Sequence, residues 1–342
     1  MRPANGPALL DLPPRLWYNA LSINLRSVIL MWDQTIDLPS LLRRLERPEG
    51  TVDVVLDTDT ANEIDDQFAL SYLLASSDKL HTKAIYAAPF FNDNSSGPQD
   101  GMEKSYQEIL RLLELAHCTQ YRQVVFKGAT GYLPDENTPV SSPASQDLAQ
   151  RAMEYSPEHP LYVVAIGAIT NVASALLLNP EIASRIVVVW LGGHAWHWPH
   201  NEEFNAWQDV AADRVVFGCG AAVVQLPCQG VVSTFHTSGP ELEFHLKGKN
   251  ALCDYLVSIV EESERAAGSG PCWSRPIWDV TAVGWLVNKA FMEDRLEPSP
   301  IFQYDNHYSF DRTRHPVKYV YSIHRDKLFA DLFQKLAALG NS

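Results

Sequence analysis

The amino-acid sequence predicts an α/β fold, a doubly wound and mostly parallel sheet with helices on both faces. Continuous apolar, β-branched runs of strand length alternate with longer amphipathic stretches, as buried parallel strands and their crossover helices do. The first run ends in a crowd of aspartates, at the carboxyl end of a strand where wound sheets bind ligands.

Residues 1 to about 32 carry Pro3, Pro7, Pro13 and Pro14 without a sustained period. Residues 1–50 are therefore expected to form a partly irregular N-terminal extension ahead of a catalytic domain over 51–342. Within the extension, Leu41, Leu42 and Leu45 keep helical spacing until Pro48 and Gly50 stop it. Strands are expected over 52–56, 82–87, 123–126, 161–166, 185–191 and 222–226. Helices are expected over 64–75, 102–117, 146–155, 171–178, 210–219, 251–264, 279–289 and 326–339. Residues 128–145 have no periodicity and read equally as a flap over a site or as a plain surface loop. Trp190 is expected in a buried strand, Trp207 and Trp285 in helix packing, and residues 261–265 on a solvated helix face.

Lys and Arg number 27 against 41 Asp and Glu, a formal charge of −14, and the longest basic run is Arg43-Arg44. That balance argues against a nucleic-acid partner, whose phosphates are held by clustered cations. No apolar stretch reaches the ~18 residues of a membrane span. Prolines break the N-terminus where a signal peptide would be continuous, so a cytoplasmic protein is expected, with no membrane partner. Five scattered cysteines without a C-x-x-C pair read as reduced thiols.

Asp57, Asp59, Asp65 and Asp66 crowd the end of the first strand and the start of the next helix, and no Lys or Arg follows before Lys79. Two like charges ~4 Å apart repel by about 4 kcal/mol at an effective dielectric near 20. A divalent cation removes that cost. Carboxylates without His or Cys are hard ligands and favour Ca²⁺ or Mg²⁺. Helix capping explains two of these acids but not four. Neither a dinucleotide-binding nor a P-loop glycine pattern follows the strand.

The segment VVLDTDTANEIDDQFAL, residues 54–70, resembles the signature of the inosine-uridine nucleoside hydrolase family. AIGAITNVASAL (165–176), LGGHAWHWPHNEEFNAWQDVAA (191–212) and WDVTAVGWL (278–286) resemble further family motifs in the same order. The resemblance implies a nucleoside hydrolase-like fold and a Ca²⁺-dependent hydrolase that cleaves ribonucleosides to base and ribose, commonly as a homo-oligomer. It implies that Asp59, Asp66, Asp279 and the main-chain carbonyl of Ile166 hold Ca²⁺, with Asp59 also taking a proton from the attacking water. Asp65 and Asn205 would hold ribose hydroxyls, Glu203 the 5′ side, and Asn92 or Asn94 the ribose or base. Asp57 would orient its neighbours.

The sequence departs from the family pattern in three places. The turn between Asp59 and Asp65 is two residues longer than usual, so Asn62 and Glu63 either solvate it or approach the metal. Trp278 stands before the last acid, where base-nonspecific members carry a His and a purine-preferring branch a Trp; stacking on the base would tilt specificity towards purines. The loop after Gly193 is short, leaving Asn201 and His197 as candidates for the residue ahead of Glu-Phe-Asn. His197, with His194 and His200 beside it, is also a candidate acid, and Trp196 and Trp198 read as an opposite wall or as loop packing. Two other readings stay open: a Mg²⁺-dependent haloacid-dehalogenase-type phosphatase with Asp57 as nucleophile, and a non-catalytic relative that binds a ribosyl ligand.

Overall fold

The structure, a computed structural model, describes residues 36–339. Residues 1–35, most of the expected extension, lie outside the described residues. The strands are β1 (Val52–Thr58), β2 (Leu80–Ala87), β3 (Val125–Lys127), β4 (Leu161–Ala165), β5 (Ile186–Leu191), β6 (Ala222–Leu226), β7 (His236–Thr237), β8 (Arg275–Pro276), β9 (Met292–Pro298), β10 (Pro300–Phe302), β11 (Tyr308–Phe310) and β12 (Pro316–Ile323). The helices are α1 (Leu38–Arg44), α2 (Asp66–Ala75), α3 (Pro98–Leu115), α4 (Pro143–Arg151), α5 (Thr170–Leu178), α6 (Phe204–Gln208), α7 (Val210–Gly218), α8 (Gly239–His245), α9 (Ala251–Ala266), α10 (Val280–Val287) and α11 (Arg325–Ala338).

Among the described residues, eight strands form the main sheet in the order β3-β2-β1-β4-β5-β6-β12-β9, and two small antiparallel pairs, β7 with β8 and β10 with β11, lie outside it. Neighbours pair in parallel except β12 with β9. The α/β wound sheet expected from the sequence is therefore present. From β1 the chain builds β2 and β3 on one side, then returns to place β4 on the other. That reversal opens a crevice beyond the carboxyl ends of β1 and β4.

Burial explains why these strands are apolar throughout. Val54, Val55 and Leu56 of β1 and Val187, Val188 and Val189 of β5 are fully buried, because helices cover both faces. Every residue of α10 is buried, and so is α2 from Asp66 to Leu74. The segment ahead of β1 also joins the core. Leu41 and Leu45 are fully buried, Arg44 donates to the carbonyls of Ala183 and Ile186 at 2.9 and 3.2 Å, and Arg47 pairs with Asp294 at 2.7 Å.

Several local expectations change. The helix expected from residue 64, α2, begins at Asp66 because residues 59–65 form a turn, and a 3-10 turn over Thr119–Val124 delays the third strand to Val125. The sequence reading omitted β9 and β12. Charged residues interrupt both, yet Lys318 of β12 is buried between Asp294 and Glu46 at 3.6 and 3.4 Å. Trp190 and Trp285 are buried as expected, whereas Trp207 is 54% exposed and Glu264, expected in solvent, is buried. The 128–145 segment is tied down: Ala129 N–H donates to Asn171, Leu133 N–H to Asp209 and Val140 N–H to Ser174. It is an anchored loop, and its Tyr132 lies near enough to Asp59 for that carboxylate, after burial, to raise the phenol's pKa.

Truncating a fully buried leucine removes apolar burial and leaves a cavity. Leu45→Ala is expected to cost about 2 to 5 kcal/mol in urea unfolding. A loss near zero would show that the segment before β1 only rests on the fold.

Candidate active site

The end of β1 delivers two aspartates with opposite surroundings. Asp57 is fully buried behind the cleft, where one carboxylate oxygen accepts from Asn171 Nδ2 at 2.8 Å. Burial raises its pKa to about 7 against the opposing effect of that hydrogen bond. Asp59 lies two residues on and faces the cleft, with both carboxylate oxygens buried and without a hydrogen-bond partner among the described residues. Gly167 leaves room for it, since a Cβ there would come within 3.1 Å of Asp59 Cγ.

The lengthened turn is clamped along its course. Asn62 N–H donates to the Asp59 carbonyl at 2.7 Å, and Gln67 Nε2 donates to the carbonyls of Thr60 and Glu63 at 2.7 and 3.2 Å. Asn92 and Asn94 hold Asn62 from outside, through its side chain and its carbonyl. The turn thus delivers Asp65 and Asp66 to the start of α2, where Thr58 Oγ1 donates to Asp66. Asp279 arrives from the other side, immediately before α10, and its N–H donates to Asp65 Oδ2 at 3.3 Å. Carboxylate oxygens of Asp65, Asp66 and Asp279 lie within 4.8 Å of one another, all buried.

The far wall is built by Glu203 and the glycine loop. Glu203 caps α6, and its two oxygens accept from the backbone N–H groups of Asn205, Ala206 and Gly193 at 3.1, 3.0 and 2.8 Å. Gly193 has φ +71°, and a Cβ there would clash with the Tyr308 hydroxyl, so the loop requires glycine. Asn205 Nδ2 donates to the Leu191 carbonyl at 3.0 Å. His194 Nδ1 accepts from Gln229 N–H at 3.3 Å, and burial, aided by His200, lowers its pKa to about 4, so the ring is neutral near pH 7.

Burial is also the leading cause that raises the pKa values of Asp59, Glu63, Asp65, Asp66 and Asp279, with mutual repulsion adding to it. Arg275 opposes the shift at Glu63 and Asp65. A hard divalent cation fits this set, because the unpartnered oxygens of Asp59 and the Asp65, Asp66 and Asp279 cluster all belong to carboxylates.

The cleft is lined by Asp59, Asn62, Glu63, Asp65, Asp66, Ile166, Glu203, Asn205, Trp278 and Asp279 among the residues singled out in the sequence. Asn92 stands one hydrogen bond behind it, through Asn62. His197 does not line it and faces the backbone near Gly230, whereas His194 does line it. Trp196 packs on Tyr319 and Phe310. Sequence reasoning missed Cys228 and Leu191 in the wall and Arg275 behind it. The phosphatase reading fails because its nucleophile, Asp57, does not reach the cleft.

A family model described as inosine-uridine preferring nucleoside hydrolase matches residues 54–329. The pyrimidine-specific ribonucleoside hydrolase RihA of Escherichia coli strain K12 is 28% identical over 193 residues, which cover 50% of this chain and 58% of that protein. The chain thus spans little more than half the length of the curated relatives it matches. A plant nucleoside hydrolase, PpNRh1, aligns at TM-score 0.67 and 19% identity over 84% of this chain and 99% of its own. A purine-preferring ribonucleoside hydrolase from Gardnerella vaginalis aligns at 0.64 and 18% over 84% and 98%. Both structures speak to the fold.

Raised carboxyl pKa values make the cation-free fold pH-sensitive. An unfolded aspartate releases its proton near ~4, while folded Asp57 keeps its own to about 7. The stability from that retained proton is full below about pH 4 and is lost as pH rises through the folded value. In chelator, Tm is expected to fall between about pH 4 and 7, and saturating Ca²⁺ is expected to remove the part of that slope that Asp59, Asp66 and Asp279 contribute. A Tm that climbs with pH in chelator would contradict this electrostatic picture.

Proposed function

Because this chain belongs to the inosine-uridine preferring nucleoside hydrolase family, we propose that it hydrolyses ribonucleosides to free base and ribose with a bound divalent cation, Ca²⁺. The observation that carries this reading is the pair of buried, unpartnered Asp59 oxygens beside the Asp65, Asp66 and Asp279 cluster. Breaking an N-ribosyl bond passes through an oxocarbenium-like state, which calls for carboxylates beside the sugar and a positioned water. Asp59, Asp66, Asp279 and the Ile166 carbonyl would hold the cation, which supplies orientation and acidification of water and a grip on a sugar diol.

The chain's own residues take the remaining tasks. Asp59 accepts the proton of the attacking water, since its oxygens have no competing donor. Asp65 and Asn205 hold ribose hydroxyls. Glu203, already fixed by three N–H groups, bounds the 5′ side. We assign contact with the leaving base to Trp278 and not to His197, because only the former lines the cleft. Trp278 offers a stacking face, which supports a preference for the larger purine rings. A cytoplasmic, self-associating enzyme completes the proposal.

The test is release of free base across a panel of purine and pyrimidine nucleosides, with Ca²⁺ and with chelator. Hydrolysis that requires Ca²⁺ and favours purines is expected. Asp59→Asn should lower kcat by about 10²- to 10⁴-fold, the range for loss of a general base. Turnover unchanged by chelator, or by Asp59→Asn, would refute the mechanism.

A further inference from the structure

The lengthened turn and the aromatic wall of the cleft share one cation. Glu63 belongs to the turn between Asp59 and Asp65 and lines the cleft. Arg275 Nη2 lies 2.6 Å from Glu63 Oε2, and Arg275 Nη1 lies 3.6 Å from Glu264 on α9. The same guanidinium stands 5.6 Å from the ring centroid of Trp278, within cation–π reach. Ser269 donates to Glu264 at 2.6 Å, so the helix partner is itself held. The pairing of β8 with β7 fixes the backbone of Arg275 independently of these partners. Its side chain is only 22% exposed.

The positions along the chain give this arrangement its leverage. Asp65 follows Glu63 by two residues, and Asp279 follows Trp278 directly. One guanidinium therefore bridges the arm that presents Asp59 and Asp65 and the arm that presents Asp279.

We propose that Arg275 is a positioning residue that locks the lengthened acidic turn to the Trp278-Asp279 wall, so that the carboxylates converge and the indole keeps its tilt. The planar fork is essential. Lysine supplies the charge but cannot serve two carboxylates and a ring face together. Without the fork, the partly exposed Glu63 turns to water and the turn loosens. The kinetic consequence rests on the hydrolase reading above, while the effect on cation binding does not.

The test uses the full chain as Arg275→Gln, Arg275→Lys and the charge-balanced pair Glu63→Gln with Arg275→Gln, with Ca²⁺ and Tb³⁺ as probes. Cation affinity is read by Tb³⁺ luminescence and Ca²⁺ displacement, and kcat and KM are measured with a nucleoside that the wild type cleaves. Positioning predicts affinity and kcat lowered about 10- to 100-fold in all three, as for partners of metal-binding groups, with KM much less affected. A pure charge effect predicts tighter cation binding in Arg275→Gln and recovery in the charge-balanced pair. Either of those results overturns the proposal, as does wild-type behaviour in Arg275→Lys. Should Arg275→Gln fail to fold, Glu63→Gln alone, which leaves the guanidinium on Glu264, must still weaken cation binding. A wild type that binds cation but cleaves no nucleoside would refute the hydrolase reading and leave the affinity test of Arg275 intact.

Discussion

Crowding of buried carboxylates at the carboxyl end of β1 is the constraint that the rest of the molecule accommodates. Five acids, Asp59, Glu63, Asp65, Asp66 and Asp279, lie in one wall system where burial penalises every charge. The sheet can present them together because its strand order reverses between β1 and β4. The glycine at 167, the clamps on the turn and the capping of α6 by Glu203 all serve to hold that concentration of charge in place.

Asp57 and Asp59 show how two neighbours of the same type divide the work. Asn171 satisfies one oxygen of Asp57 deep in the fold, and this carboxyl keeps its proton to about pH 7. Held by Asn171, it supports the site from beneath. Among the described residues no other side chain donates to the Asp59 carboxylate, which leaves it open to what enters the cleft. Glu203 is the third solution, a buried acid saturated by backbone N–H groups at a helix start.

Much of this was legible in the sequence because local chemistry carries it. A buried strand ending in D-x-D and followed by a D-D pair states both the strand end and the need for a cation, and the later motifs fell in order around one cleft. What the sequence hid depends on distant partners. Arg275 lies 212 residues from Glu63, and no local pattern announces their contact. Glu264 sits in a charged run that reads as solvated until Arg275 and Ser269 close over it. Strands β9 and β12 were masked by charges such as Lys318, whose burial depends on Asp294 and Glu46. Among three closely spaced histidines, only the path of the loop selects His194 for the cleft.

The most direct measurement of the central claim is equilibrium dialysis of radioactive Ca²⁺ against the full chain, comparing wild type with Asp66→Asn and Asp279→Asn. One tightly held ion per chain, released in both variants, is the predicted result. A wild type that retains no Ca²⁺, or variants that retain it unchanged, would mean that something other than a cation relieves the buried acids.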